Sequence, residues 1–151
     1  MFQPGQGWVG FAISESGSMV GSLGIIGLPD EDISGSNPGK YNLGGFSPAQ
    51  VLLTDQQTLL AGDIVQNDTH TVLSFTKFLT EPDELAIDPS GPNHFLVAAG
   101  SGNELAYHAV RHAFMATLGC PSEDGGLTVA VGDVLSVEGF VMDNFCIERG
   151  E

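Results

Sequence analysis

A chain of 151 residues with 42% apolar content is long enough to bury one ordinary core plus a short extension. Four basic against nineteen acidic side chains leave a formal charge of −15, which repels phosphate backbones and anionic lipid and so excludes nucleic-acid binding. The longest apolar runs, Phe95 to Ala99 and Leu127 to Val131, fall far short of the roughly 20 residues a spanning helix needs. Met1 to Gly10 lacks the basic start and apolar stretch of a secretory signal, and the chain reads as a piece of a larger protein.

Twenty-one glycines and eight prolines cut the sequence into short apolar pieces, the punctuation of an all-β protein. Strands are predicted at Trp8 to Ile13, Val20 to Ile26, Tyr41 to Phe46, Leu59 to Gln66, Thr71 to Leu79 and Phe95 to Ala99. In the fifth, Leu73, Phe75 and Leu79 alternate with Ser74 and Thr76, so one face goes inward and the other stays wet. Asn67-Asp68, residues that tolerate left-handed backbone, would turn the hairpin between the fourth and fifth. Glu104 to Leu118 breaks this rhythm. Leu105, His108, His112 and Met115 recur at three- and four-residue steps before Gly119 and Pro121, which predicts a short helical segment over 104–118. Residues 119–126 read as a linker, and 127–151 as the start of a following unit or a terminal strand pair, with strands at Leu127 to Val131 and Val134 to Val141.

The two cysteines, Cys120 and Cys146, lack metal-ligand spacing; they can pair with each other, or Cys146 with a residue beyond the chain. The sequon Asn67-Asp68-Thr69 falls between two strand-like runs. Both features point to an extracellular or cell-surface setting. No G-x-S-x-G elbow, phosphate loop or H-E-x-x-H motif is present, so an independent catalytic centre is not expected. His108 and His112 at i and i+4 would share a helical face as a zinc pair, but neither the cysteines nor His70 and His94 supply a further ligand at a supporting spacing. Read from the residues alone, Met19 is core filler or a thioether ligand standing at the mouth of a strand. His108 is a hydrogen-bonded histidine at the core edge or an imidazole ligand.

Gly7-Trp8-Val9-Gly10-Phe11-Ala12-Ile13-Ser14, then Met19-Val20-Gly21-Ser22 with Ile25-Ile26-Gly27, then Tyr41-Asn42-Leu43, Leu73-Ser74-Phe75-Thr76-Lys77, Val97-Ala98-Ala99-Gly100 and Tyr107-His108 follow one another in the order seen in DOMON domains. The resemblance covers residues 7–118. It implies an immunoglobulin-like β-sandwich over 1–118 that binds b-type haem or sugar, with axial iron ligands carried onto Met19 and His108. His112 is the second choice to His108, because His108 directly follows the tyrosine. Without a C-x-x-C-H motif the haem would be noncovalent, and Phe11, Ile25, Phe95 and Tyr107 would stand around it. Thioether and imidazole together fill both faces of the iron, which favours electron transfer over oxygen chemistry. The sequence departs from the family pattern where only Met1 to Gln6 precedes the Gly-Trp motif, and where Lys77 stands in place of a common arginine.

The expected function is therefore a haem b electron-transfer domain of a larger extracellular or membrane-attached redox protein, whose acidic surface orients a redox partner. Two other readings stand beside it. One is a haem-free carbohydrate-binding module that uses Trp8, Tyr41 or Tyr107 as stacking surfaces; the other is a structural spacer with a filled core.

Overall fold

The computed structural model describes residues 2–30, 37–118 and 134–136. These residues form an all-β sandwich of two antiparallel sheets. In chain order the strands are β1 (Phe2–Pro4), β2 (Val9–Ser14), β3 (Ser22–Gly27), β4 (Gly39–Leu43), β5 (Val51–Leu53), β6 (Ala61–Gln66), β7 (His70–Phe78), β8 (Pro92–Ala99), β9 (Val110–Thr117) and β10 (Val134–Ser136). The larger sheet has the order β5-β4-β3-β2-β8-β9. In the smaller sheet β7 pairs with β6, and also with β1 at its first residues and β10 at its last.

Strand alternation decides what each face of the larger sheet carries. Val9, Phe11 and Ile13 of β2, Leu23 and Ile25 of β3, and Phe95 and Val97 of β8 share the face turned to the smaller sheet. There Phe11 meets Phe75 of β7 with ring centroids 5.5 Å apart, and Phe95 at 5.2 Å. Gly27 lies under Ile64 of β6, so close that a Cβ would collide with that side chain. Every residue of β3 and nearly every residue of β2 is buried. Central strands covered on both sides need no polar face, and their sequences show little alternation for that reason.

A buried ionic cluster closes the interlayer space near β4 and the end of β7. Lys40, with a fully buried side chain, donates to Thr58 Oγ1 at 2.7 Å and pairs with Glu81 and Glu84. Lys77, 3% exposed, reaches Glu81 at 2.9 Å, Glu84 at 3.5 Å and the Phe78 carbonyl at 2.7 Å. Lys77 thus uses its donors in three directions without the planar fork of an arginine. Burial pushes the Glu81 carboxyl up, but the hydrogen bond from Thr58, the bond and charge of Lys77 and the charge of Lys40 together outweigh it and hold Glu81 below its ordinary value.

Three sequence expectations change here. The predicted helical segment over 104–118 is instead a loop followed by β9, and the described residues contain no α-helix. Val110 to Thr117 pairs residue for residue with β8, from Ala99↔Val110 to Pro92↔Thr117. The i, i+4 spacing of His108 and His112 was a coincidence of composition: pairing satisfies the backbone groups along β8, which outweighs a weak helical pattern. The Asn67-Asp68 hairpin turns without left-handed residues, since among the described non-glycine residues only Asp83 has positive φ. Asn67 Oδ1 instead accepts from the backbone N–H groups of Thr69 and His70, the side-chain mimic of a backbone turn. A short strand, β1, also precedes the Gly-Trp segment, outside the predicted strands. The linker, both cysteines and most of residues 127–151 lie outside the described residues, within which Val134–Ser136 pairs with β7.

Candidate functional site

The outer face of the larger sheet carries the other half of the alternation, with small side chains at its centre and larger ones, Ile26, Tyr41, Leu43 and Leu96, around them. Gly10 and Ala12 of β2, Gly24 of β3, Ala98 of β8 and Ala113 of β9 form a low floor, bordered by Ile26, Leu43, Val51 and Leu96. Leu43 lies over Gly24, where an added Cβ would stand 3.0 Å from its nearest methyl. Trp8 likewise packs down on Gly10, at 3.3 Å from such a Cβ. Over this floor opens a cavity of about 410 Å³ with mainly apolar walls. Such a volume falls within the roughly 300–1,000 Å³ of sites that bury small organic ligands.

Two connections enter this cavity from opposite ends of β2. The β2–β3 connection carries Met19 and is held by serine hydroxyls: Ser14 Oγ donates to the Ser18 carbonyl at 2.8 Å, Ser22 Oγ donates to the same oxygen at 2.6 Å, and Ser14 Oγ accepts from Gly17 N–H at 3.0 Å. Gly17 and Gly21 supply the left-handed bends, at φ 79° and 86°. Met19 is half-buried and packs against the cluster of Trp8, Ala12, Ile26, Leu28, Tyr41 and Leu43.

The β8–β9 connection carries Leu105, Tyr107 and His108. It is pinned to Trp8, whose N–H donates to the Gly102 carbonyl and whose carbonyl accepts from Gly100 N–H, both at 2.9 Å. A Cβ at Gly100 would overlap the indole ring, so only glycine permits this closeness. Half-buried His108 and largely exposed Tyr107 sit ring to ring, with centroids 4.4 Å apart. Met19 and His108, distant in sequence, therefore line the same cavity.

The remaining candidates divide. Ile25 is fully buried and Phe95 is 4% exposed in the interlayer core, so the strand register sets both on the opposite face of the sheet from Met19. Phe11 borders the cavity, but its ring packs at a tilt against Phe75 and Phe95 between the layers. Tyr107 stands at the cavity edge, 66% exposed. His112 also contributes to the lining, yet its ring stacks on Phe114 and its register partner is Val97 on the interlayer side. Among the described residues no group of three or more His, Cys, Asp or Glu side chains could hold a metal ion. His70 is engaged with Asn67 and Thr69 in its hairpin. His94 is half-buried on β8. Trp8 and Tyr41, proposed as stacking platforms, are each 4% exposed and belong to the core.

Sequence reasoning did not single out Arg111, the small-residue floor or Phe46. Arg111 lines the cavity from β9 and Phe46 stands at its edge, 69% exposed. A count of cations held the signal for Arg111: the chain has only four Lys plus Arg, and Lys40 and Lys77 are consumed in the interior. The floor had no separate signal, because glycine and alanine in strands also read as turns, bulges and filler.

Among the described residues no helix is long and apolar enough to cross a membrane. No protein-family profile, curated protein or solved structure matches the chain.

Proposed function

We propose that this chain is a noncovalent haem b domain that transfers single electrons, with Met19 and His108 as the iron ligands. The observation that carries this reading is the convergence of the Met19 thioether and the His108 imidazole, from separately anchored connections, on one apolar cavity that His112 also borders from β9. The residues fit the group: the donor set is that of an electron-transfer haem, and a floor of Gly10, Ala12, Gly24, Ala98 and Ala113 accepts a flat apolar body. Bound haem would supply a reversible one-electron couple, and methionine ligation in an apolar pocket raises its potential.

The chain's own residues supply placement and exclusion of water. The Ser14–Ser18–Ser22 hydrogen bonds hold the Met19 connection in place before any ligand arrives, and the Trp8–Gly100–Gly102 bonds do the same for the connection to His108. Leu43, Val51, Leu96 and Leu105 keep the walls apolar. With both lysines buried, the exposed surface is dominated by acids, which suits a redox partner with a basic face and an association that weakens with salt.

The test is haem titration of the purified chain. Saturable one-to-one uptake with a six-coordinate low-spin spectrum is expected, and both Met19→Ala and His108→Ala should lose the low-spin form while His112→Ala keeps it. Absence of saturable uptake, or a spectrum indifferent to both substitutions, rejects the assignment. At the cavity, a carbohydrate-binding reading has the exposed rings of Tyr107 and Phe46. Glycan binding that survives Met19→Ala, in a chain that takes up no haem, would favour it.

A further inference from the structure

Arg111 is the one cation among the described residues that is not spent on internal ion pairs. The described ion pairs all run between Lys40 or Lys77 and Glu81 or Glu84. Arg111 is exposed on β9 and lines the cavity beside Ala113. Its register partner is Ala98 of the floor, and paired residues on neighbouring strands project to the same face. A guanidinium beside an apolar cavity, on a chain of charge −15, creates a local reversal of sign. Elsewhere the acidic surface repels an anion; here a carboxylate finds a planar two-pronged donor.

We infer that Arg111 is a ligand-binding residue that selects, at the edge of the cavity, for the carboxylate of an otherwise apolar and flat ligand. Resting on the haem reading above, this assigns Arg111 to a propionate of the porphyrin. The apolar floor holds the ring, Met19 and His108 hold the iron, and Arg111 distinguishes the free acid from an ester. Arginine suits this position better than lysine because its fork matches both oxygens of a carboxylate.

Metal-free protoporphyrin IX and its dimethyl ester separate this assignment from iron ligation, since neither uses an axial ligand. Trp8, the only tryptophan of the chain, lines the cavity and reports binding through quenching of its fluorescence. The free acid should bind the wild-type chain roughly tenfold more tightly than Arg111→Gln, the scale of one charge-assisted contact of about 1.4 kcal/mol. The ester should bind both chains equally, Arg111→Lys should fall between, and added salt should weaken the acid in the wild type more than in Arg111→Gln. Equal loss for acid and ester, or no loss for either, overturns the role of Arg111. If the acid binds through Arg111 but iron haem gives no low-spin spectrum, Arg111 stands and the axial ligands fall. If iron haem is low-spin and Arg111→Gln leaves acid binding unchanged, the reverse holds. Failure of both the free acid and iron haem to bind the wild-type chain overturns both.

Discussion

The two faces of the six-stranded sheet are built from alternate residues of the same strands, yet they do opposite things. On the inner face Phe11 meets Phe75 of the second sheet and Gly27 lies under its Ile64, Ile25 and Phe95 are buried beside them, and the lysine–glutamate cluster packs in the same interlayer space. On the outer face Gly10, Ala12, Gly24, Ala98 and Ala113 leave room bordered by neighbouring strand side chains and by two loops rather than by a second sheet. Large side chains that find partners make a core, whereas small ones without an opposing layer leave a cavity. Stability should therefore depend mainly on the inner face and ligand binding on the outer one, and substitutions can break or sharpen that division.

The largest effect belongs to the ionic cluster. Lys40→Met leaves Glu84 and Glu81 with one cation between them in a buried setting, and should cost about 3–5 kcal/mol in urea unfolding. Folded protein that remains should still take up porphyrin, since no member of the cluster lines the cavity. Gly100→Ala comes next and tests where the two regions touch. Its methyl group collides with Trp8, so a loss of about 1–3 kcal/mol in the same assay should come with weaker porphyrin binding, as the wall and the His108 connection shift together.

Acid probes the cluster without mutation. Because Glu81 titrates lower in the folded chain than its ordinary value of 4.5, its contribution is complete above that value and disappears as the pH falls through the lower folded one. Urea midpoints should drop across this acidic window, and Glu81→Gln should flatten that part of the profile. The smallest effect on stability is expected from Ala113→Leu, at an exposed position of the floor: about 0.5 kcal/mol or less by urea, but a clear fall in porphyrin affinity because the added carbons occupy ligand space. A large loss of stability from Ala113→Leu, with affinity intact, would contradict the division between the faces.

Much of the fold was legible in the order of residues. Glycine and proline punctuation marked the β-rich character, and the alternation of Leu73 and Phe75 with Ser74 and Thr76 marked β7, because period-two burial follows from local backbone geometry. Residues 110–117 were misread for an equally physical reason. Their spacing satisfied a helical pattern, and nothing local reveals that β8 presents matching backbone groups along Pro92–Ala99. The cavity lining was legible in part: Met19 and His108 line one space, while Ile25 and Phe95 lie across the sheet from it. Apolar type alone does not say which face a residue takes when both faces of a strand are buried.

By itself, then, the sequence determined the strand-forming character of the chain, its acidic surface charge and the scarcity of cations, since each follows from composition and short-range pattern. Only tertiary structure decided that both lysines go inward, that small residues from four strands share one floor, and that Met19, His108 and Arg111 border it. Those outcomes depend on strand register and on which sheet face finds an opposing layer. They join residues distant along the chain, so no local window of the sequence contains them.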